Sequence, residues 1–379
     1  MTRFAVTYRI FAADRAEALT RAEGIALEQT VEIPRDVVPA GYVENEILGQ
    51  VEDIGPEGDG SFRATISFSP DSAGPEFSQF LNVIFGNSSI QRGLRVTAIE
   101  TGAEMLRRHP GPRFGIAGLR RLTGRAQGGL IAPVIKPQGL GADDLARIAY
   151  LCAKAGADII KEDHGITDQP MAPFRERVEK IAAAVARAAA ETGHRARYFA
   201  SVAGQPFDIE GNLRFARDAG VDGFLIMPGL LGFGLMNRIA CDPDLVLPVM
   251  SHPSFLGPYV LSADTGLDHG VMFGTLQRLA GADISVFPNV GGRFGFSVQD
   301  CAQIAAACRD PQGPGLPMLP SPGGGMSVER AGEMARMYGP DVVYLLGGSL
   351  LRLGDRIGEG IIAMRAALNA AQDAADTAR

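Results

Sequence analysis

Four ionisable residues follow one short apolar run near the middle of the chain. The run Asp158–Ile160 is typical of a buried strand, and Lys161, Glu162, Asp163 and His164 come directly after it. Unpaired charges are costly to bury, so such groups are usually paired, bound to a metal or neutralised. In an extended chain Lys161 and Asp163 point to the same side, and His164 follows at the start of a loop, from which it can reach the same ion.

Mg²⁺ prefers carboxylate oxygens, waters and substrate oxygens, so this cluster predicts a magnesium site. A protonated lysine cannot bind a metal. Lys161 would have to be neutral or converted to an anion, for example a carbamate formed with carbon dioxide. The alternative is a structural network of ion pairs at the end of the strand.

Two further residues with reactive side chains end other apolar runs. Lys136 comes directly after such a run and before a proline, so it can be desolvated, which lowers its pKa and suits a general base beside a carbonyl. The alternative is a lysine that is paired with Asp163 or Glu162. His252 can either contact a ligand or be a satisfied histidine at the end of its strand, whereas His109, in a linker, is expected at the surface.

Strands and helices alternate after about residue 125. The apolar runs are Leu130–Ile135, Ala157–Ile160, Arg197–Val202, Gly223–Met227, Leu245–Met250, Ala282–Phe287, Pro317–Leu319 and Asp341–Leu346. The helical patterns between them are Asp143–Ala155, Arg175–Thr192, Gly211–Ala219, Gly270–Ala280, Val298–Ala307 and Ser327–Tyr338. Eight such units over about 250 residues predict a TIM (β/α)8 barrel, with a doubly wound open sheet as the alternative.

The first 125 residues have the pattern of a small α+β domain of the ferredoxin-like kind. The predicted strands are Phe4–Ile10, Glu46–Asp53, Phe62–Phe68 and Leu94–Glu100, and the predicted helices are Asp14–Glu28 and Phe77–Phe85. A cluster of prolines and glycines at 110–112 approaches the boundary. We therefore expect an N-terminal domain over 1–125 and a barrel domain over 126–379.

Glycines follow the last two predicted barrel strands. Gly323–Gly325 come after the seventh strand, and Gly347 and Gly348 come after the eighth. Barrels of this kind commonly bind phosphate in these two loops through backbone N–H groups, which glycine allows an anion to approach closely. The pattern predicts a phosphorylated ligand, and the alternative is a pair of tight turns.

Composition excludes several other classes of function. The net charge of -7 argues against nucleic acid as a partner, and no segment approaches the ~18 continuous apolar residues that a membrane span needs. The first residues read as a strand and not as a signal peptide. The four cysteines have no C-x-x-C spacing. We expect a cytoplasmic enzyme that acts on a small molecule, without nucleic acid or membrane.

Together these motifs resemble the RuBisCO large-chain family, and more closely the RuBisCO-like proteins (form IV). The resemblance spans nearly the whole chain and rests on these segments: Leu27–Thr30, Ile84–Asn87, Ile135–Pro137 and Gly156–Asp163, with the glycines of the last two loops. It implies that Lys136 handles protons and that Lys161 is carbamylated and binds Mg²⁺ with two neighbours, here Asp163 and His164.

The resemblance also implies an active site that is shared between the subunits of a homodimer. Glu28 and Asn87 of the N-terminal domain would reach the site of a neighbouring subunit. The first phosphate site of the family matches four glycines of the last two loops: Gly324, Gly325, Gly347 and Gly348.

Departures from the family pattern change the expected reaction. The third metal ligand, an acid in RuBisCO, is His164, and the second lysine of the first strand is Gln138. The histidine–arginine pair after the fifth strand is His252 and Pro253, so the arginine for a second phosphate is missing. The loop after the sixth strand contains Arg293 but no matching lysine. Such a site should neither hold a bisphosphate well nor fix carbon dioxide.

The resemblance therefore implies an enzyme that enolises a phosphorylated ketose through an enediolate stabilised by Mg²⁺. Its best-matching activity is 5-methylthioribulose-1-phosphate isomerase in sulfur salvage, with Lys136, Lys161 and His252 as catalytic residues and Gln138 and Arg293 beside the substrate. An alternative is a decarboxylase of a phosphorylated 3-oxo sugar acid, of the 3-oxo-isoapionate-4-phosphate type. A third possibility is a phosphosugar-binding protein without activity.

Overall fold

The N-terminal part of the chain is a twisted sheet with helices packed on it. The computed structural model describes residues 3–202, 204–205 and 207–377. The strands of this part are β1 (Phe4–Phe11), β2 (Gln50–Gly58), β3 (Ser61–Phe68) and β4 (Leu94–Glu100). The helices are α1 (Arg15–Glu28), α2 (Pro70–Ala73), α3 (Phe77–Phe85), α4 (Gly102–Arg108) and α5 (Gly115–Thr123). β1 lies between β3 and β4 and is antiparallel to both.

Sequence periodicity located most of these elements. Every second residue of β1 is buried, as expected for a strand with one face on a core. Asp14 caps α1, since its carboxylate accepts the backbone N–H of Glu17 at 2.9 Å. The strand expected over Glu46–Asp53 is wrong in its first part, because Val43–Ile47 forms a π-helical turn and β2 begins only at Gln50.

The remainder of the chain forms a closed barrel of eight parallel strands, which confirms the predicted TIM barrel. The barrel strands are β5 (Leu130–Ile135), β6 (Ile159–Glu162), β7 (Arg197–Ser201), β8 (Gly223–Ile226), β9 (Val249–Ser251), β11 (Ile284–Pro288), β12 (Leu319–Gly323) and β13 (Val343–Leu346). The helices of this part are α6 (Ala142–Lys154), α7 (Phe174–Thr192), α8 (Ile209–Asp218), α9 (Pro228–Leu231), α10 (Phe233–Cys241), α11 (Leu276–Leu279), α12 (Val298–Arg309), α13 (Ala331–Tyr338), α14 (Gly348–Leu351) and α15 (Ile357–Thr377).

Some predicted boundaries shift where prolines interrupt the apolar pattern. The fifth strand begins at Val249, after Pro248, and not at Leu245. The seventh strand begins at Leu319 and continues through two prolines to Gly323, beyond the predicted range. The helix predicted over Gly270–Ala280 begins with a π-helical turn, Val271–Thr275. Proline lacks an N–H donor, so a strand that contains it does not look like one in sequence.

All eight barrel strands contribute residues to the interior, and α5 packs against them at one end. The interior residues from the eight strands include Leu130, Ile159, Phe199, Leu225, Met250, Ile284, Leu319 and Val343. Leu119 of α5 packs into the same cluster. Asp283 accepts the backbone N–H groups of Phe114 and Gly115 at 2.8 Å each and so holds the start of this helix. The expected domain boundary near residue 125 falls directly after α5.

A short strand from the barrel part joins the N-terminal sheet. β10 (Gly266–Leu267), between the fifth and sixth barrel strands, pairs in parallel with β4, so the sheet order is β10-β4-β1-β3-β2. Arg95 of β4 is 5% exposed and pairs with Asp268 directly after β10. The two parts of the chain are therefore tied together by backbone hydrogen bonds and by a shielded ion pair.

His109 is not at the surface, contrary to the expectation from its linker position. It is fully buried, and its Nδ1 lies 3.2 Å from the Oδ1 atom of Asn237 on α10. Its ring also meets the ring of Phe77 of α3 edge-on, with the centroids 5.0 Å apart. The linker passes between the two parts of the chain, which a local pattern does not reveal. None of the helices in the described residues is both long and apolar enough to cross a membrane.

Candidate active site at the barrel mouth

Lys136, Asp163 and His164 meet at the carboxyl ends of the first two barrel strands. The Nζ atom of Lys136 lies 3.1 Å from Oδ2 of Asp163, and Nδ1 of His164 lies 2.7 Å from Oδ1 of the same carboxylate. Lys136 is thus paired with Asp163, which was one alternative from the sequence. Burial by itself raises the pKa of Asp163, but the hydrogen bond with His164 and the charges of Lys161 and Lys136 outweigh it and hold that pKa well below its usual range. Asp163 is therefore ionised.

Lys161 lies inside the barrel, one layer below this pair. It is 1% exposed, and its Nζ donates to the backbone carbonyl of Glu162 at 2.7 Å. Burial lowers the pKa of Lys161 to about 8, and the charge of Lys136 adds to this while that of Asp163 opposes it. A lysine with this pKa is partly neutral near neutral pH, and only the neutral amine can react with an electrophile.

Glu162 points to the opposite side of β6 and belongs to the structural support. Its carboxylate accepts three hydrogen bonds: from Nε of Arg177 at 2.8 Å, from the hydroxyl of Tyr198 at 2.6 Å and from the backbone N–H of Ser201 at 2.8 Å. Glu162 and Arg177 are both 0% exposed. This network connects β6 to α7 and β7 and fixes the strand end that carries Lys161 and Asp163.

His252 joins the group from the fifth barrel strand. Its ring stacks on that of His164, with the centroids 4.0 Å apart and an angle of 18° between the planes. Burial lowers the pKa of His252 well below its ordinary value, helped by the charges of Lys161 and His164, so His252 is neutral. The backbone N–H of Ser254 donates to its Nδ1 at 3.3 Å, so the ring proton is assigned to Nε2. His252 can therefore offer a hydrogen bond to a ligand oxygen.

The donor groups fit a divalent cation if Lys161 is modified. Within the described ranges, no three His, Cys, Asp or Glu side chains converge on a common point. Asp163 and His164 thus need a third ligand, and a carbamate on Lys161 would provide an anionic one. Among the described residues, the buried hydroxyl of Ser201 at the end of the adjacent strand has no hydrogen-bond partner, so it could bond to a polar group added here. With Lys161 carbamylated, these side chains would fit a divalent cation such as Mg²⁺.

Two side chains fix the glycine turn after β12 through hydrogen bonds to its backbone carbonyls. Gly324 and Gly325 have φ values of +92° and +65°, which non-glycine residues rarely adopt. Buried Asn289 donates to the carbonyl of Gly324 at 3.3 Å. Arg330 donates to the carbonyls of Gly325 and Val290, at 2.9 Å and 3.2 Å, and so ties this turn to the loop after β11. Gly324 and Gly325 are exposed, which leaves their backbone open to a ligand.

The turn after β13 lies against the lysine of the first strand. A Cβ atom built on Gly347 would lie 3.5 Å from Cε and 3.7 Å from Nζ of Lys136. The hydroxyl of Ser349 donates to the carbonyl of Met326 at 2.9 Å and joins this turn to the one after β12. Gly348 is exposed. The lysine is thus placed between the cluster around Asp163 and the glycine turns.

The other residues expected in the site lie farther out. Gln138 is exposed, and its amide oxygen would lie 3.8 Å from a Cβ on Gly165, beside the loop after β6. Arg293 is exposed, and its guanidinium lies 5.5 Å from the centre of the Phe294 ring; within the described part of the chain, no contact joins it to the cluster around Asp163. Glu28 and Asn87 come together on the N-terminal part, where Nδ2 of Asn87 donates to Oε1 of Glu28 at 2.9 Å.

Sequence reasoning missed Arg177, Ser201 and Arg330. Arg177 and Arg330 lie in helical stretches, where an arginine usually faces solvent, and only the tertiary structure reveals their partners. Ser201 is the last residue but one of the strand predicted over Arg197–Val202, and this position near a strand end was the available signal. All three support the side chains or turns that the motifs identified.

Comparison with known proteins agrees with this geometry. The family model of the ribulose bisphosphate carboxylase large chain, catalytic domain, matches residues 115–295. A 5-methylthioribulose-1-phosphate isomerase of Rhodospirillum rubrum is 38% identical over 94% of this chain and 94% of its own length. The ribulose bisphosphate carboxylase-like protein 1 of Rhodopseudomonas palustris is 37% identical over 94% of this chain and 95% of its own.

A solved structure shares the whole fold. The crystal structure of a Rubisco-like protein from Rhodopseudomonas palustris superposes with a TM-score of 0.86 and 35% identity, and covers 97% of this chain and 98% of that one. The similarity includes both the N-terminal sheet and the barrel that presents the lysines. The chain belongs to the RuBisCO large-chain family, among the RuBisCO-like proteins.

Proposed function

We propose that this chain is an isomerase that enolises a phosphorylated ketose, with 5-methylthioribulose 1-phosphate as its substrate. One observation carries the proposal: Lys136 lies between the ionised Asp163, 3.1 Å away, and the glycine turn at Gly347. A substrate whose phosphate rests on the glycine turns would present its carbonyl end to this lysine. The relative of Rhodospirillum rubrum with this activity supports the choice of substrate.

Lys136 is the proposed base. It takes a proton from the hydroxyl-bearing carbon beside the substrate carbonyl, and the carbonyl oxygen gains a proton to give an enediol. A proton is then added to the former carbonyl carbon while the neighbouring hydroxyl loses its own, so that the carbonyl moves to the neighbouring carbon without a change in composition.

Neutral His252 is the proposed hydrogen-bond donor to the substrate oxygen on which charge develops. Its Nδ1 accepts from the backbone of Ser254, so its Nε2–H is left for the ligand. A donor that is already oriented stabilises the developing oxyanion without reorganisation.

Asp163 and His164, with a carbamylated Lys161, would hold Mg²⁺. When bound, this ion supplies a positive charge that stabilises an anionic substrate oxygen. The backbone N–H groups around Gly324, Gly325, Gly347 and Gly348 would hold the phosphate. These residues orient the substrate so that the hydrogen to be removed faces Lys136.

Other features argue for one phosphate and against carboxylation. Pro253 follows His252 where the family has an arginine, and Gln138 replaces a lysine.

We also propose a homodimer, in which the exposed Asn87 and its partner Glu28 approach the substrate of the neighbouring subunit. On the barrel side, the exposed Leu230 of α9 would offer an apolar contact to a methylthio group.

Direct turnover tests distinguish the candidate functions. The protein is incubated with Mg²⁺ and bicarbonate and given either 5-methylthioribulose 1-phosphate or a phosphorylated 3-oxo sugar acid. Formation of an isomer of the thio-sugar, seen by NMR, supports the proposal. Release of carbon dioxide from the oxo acid, without turnover of the thio-sugar, would favour a decarboxylase, and binding of either compound without turnover would favour a binding protein.

A further inference from the structure

Ser201 ends the third barrel strand with a hydroxyl inside the barrel. Residues two apart on a strand share a face, and Phe199 of β7 belongs to the interior cluster. Ser201 therefore faces the interior, one layer closer to the mouth than Phe199. It is 0% exposed.

The backbone hydrogen bonds between the neighbouring strands β6 and β7 stop before Ser201; we call this junction the β6–β7 seam. The register pairs Lys161 with Phe199, and the backbone N–H of Arg197 donates to the carbonyl of Asp158 at 2.9 Å. Continuation of this ladder by two steps would join the N–H of Ser201 to the carbonyl of Glu162.

Both groups have other partners instead. The N–H of Ser201 donates to the Glu162 carboxylate at 2.8 Å, and the carbonyl of Glu162 accepts Nζ of Lys161 at 2.7 Å. The end of the Lys161 side chain is thereby held at the seam, beside Ser201.

The Ser201 hydroxyl has no hydrogen-bond partner in the part of the chain that the structure describes. Other buried serines of the barrel are satisfied: Ser321 donates to the carbonyl of Val343 at 3.0 Å and Ser285 to that of Phe273 at 2.6 Å. A buried hydroxyl without a partner is costly and calls for an explanation at that position. Continuation of the strand register sets Ser201 opposite Asp163, and the Nζ atom of Lys161 ends at the same junction, on the carbonyl of Glu162.

We propose that the hydroxyl of Ser201 donates a hydrogen bond to a carbamate on Lys161 and so stabilises the modified lysine. The inference rests on the proposed function, of which the carbamate is a part. The neutral amine of Lys161 attacks the carbon of dissolved carbon dioxide. A C–N bond forms, one C–O π pair moves onto oxygen, and the amine loses one proton to solvent. The new carboxylate-like group is an acceptor, whereas the lysine ammonium is only a donor. Ser201 is thus a positioning residue.

The test measures the carbamate itself. The full-length protein is titrated with ¹³C-labelled carbon dioxide at one fixed pH with Mg²⁺ present, and the carbamate resonance is followed by ¹³C NMR. Lys161→Ala identifies the signal. We expect Ser201→Ala to need about tenfold more carbon dioxide for half occupancy, as for the loss of one hydrogen bond to a charged group. Ser201→Thr, which keeps the hydroxyl, should restore most of the occupancy.

Ser321→Ala is the matched control, since it also removes a buried hydroxyl from the barrel interior. Its carbamate titration should equal that of the unmodified protein. Equal titrations for Ser201→Ala and the unmodified protein would overturn the inference and leave the carbamate standing. Absence of the signal in the unmodified protein would overturn both. An equal loss in Ser201→Ala and Ser321→Ala would show a general packing effect and also refute the inference. If Ser201→Ala does not fold, Ser201→Cys, which keeps the size but donates weakly, is titrated and is expected to lose occupancy.

Discussion

The Nζ atom of Lys136 and the Oδ2 atom of Asp163, 3.1 Å apart, join the ends of the first two barrel strands. The pair places the proposed base next to the proposed metal ligand. It also means that substitution of either residue changes the charge around the other. Tests of the site therefore need to measure proton transfer and ligand binding separately.

Replacement of Lys136 by alanine should slow proton exchange strongly and leave substrate binding in place. In deuterated water we expect the exchange of the substrate hydrogen beside the carbonyl to slow by about 10²- to 10⁴-fold, the usual contribution of a general base. Exchange is followed by NMR. Lys180→Ala is the control, because Lys180 lies on the outer helix α7 and pairs with Glu176. Normal exchange in Lys136→Ala would assign the base elsewhere.

Replacement of Arg177 by methionine should destabilise the fold strongly. It would leave the Glu162 carboxylate, which is 0% exposed, without its cation, and loss of one partner from a buried pair costs about 3–5 kcal/mol. The free energy of unfolding from urea titration measures the effect. Arg63→Met is the control, because Arg63 forms an exposed pair with Asp53 and its loss should cost less than about 1 kcal/mol. A loss below about 1 kcal/mol in Arg177→Met would contradict the support role of this network.

Asp283 should make the fold less stable as the pH rises from about 4 to about 6. Burial raises the pKa of Asp283 to about 6, although three backbone N–H groups oppose this, so the native state holds the proton more tightly than the unfolded chain, whose value is 3.8. Because the native state binds more protons in this window, stability falls with pH, by at most about 3 kcal/mol, and is level above it.

Comparison with Asp283→Asn isolates this contribution. The amide does not titrate, so the difference in unfolding free energy between the two proteins should change between pH 4 and pH 6. The constant offset from the altered contact with the N–H of Val249, 3.0 Å away in the native protein, does not affect the slope. A difference that is flat across this range would show an ordinary carboxylate pKa at Asp283.

Replacement of Arg330 by glutamine should weaken the phosphate site. Arg330 connects the carbonyl of Gly325 to that of Val290, and its other nitrogens are held by Glu333, so it shapes the turn and does not itself meet the ligand. We expect inorganic phosphate to inhibit about tenfold less well and KM to rise, with a smaller change in kcat. Arg336→Gln, an exposed neighbour on α13, is the control. An unchanged inhibition constant would refute the role of Arg330.

The sequence predicted the barrel well because most of its strands begin as a continuous apolar run and are followed by a helix. Its errors lie where the local pattern was interrupted, as at Pro248 before the fifth strand, or where a linker is covered by distant parts of the chain, as at His109. Lys136, Asp163 and His252 were identifiable because reactive groups in such a barrel follow the strands. The partners of Arg177 and Arg330 could not be predicted, since they are determined by tertiary contacts between elements far apart in sequence.

β10 has a consequence for any attempt to divide the molecule. Its two residues complete the N-terminal sheet with backbone from the barrel part, and Asp268 beside them neutralises Arg95. A fragment ending near residue 125 would expose the outer edge of β4 and leave a shielded guanidinium without its counter-charge. An unpaired strand edge is a template for aggregation. Exchange of N-terminal parts between relatives therefore requires that the β10 segment be transplanted with them.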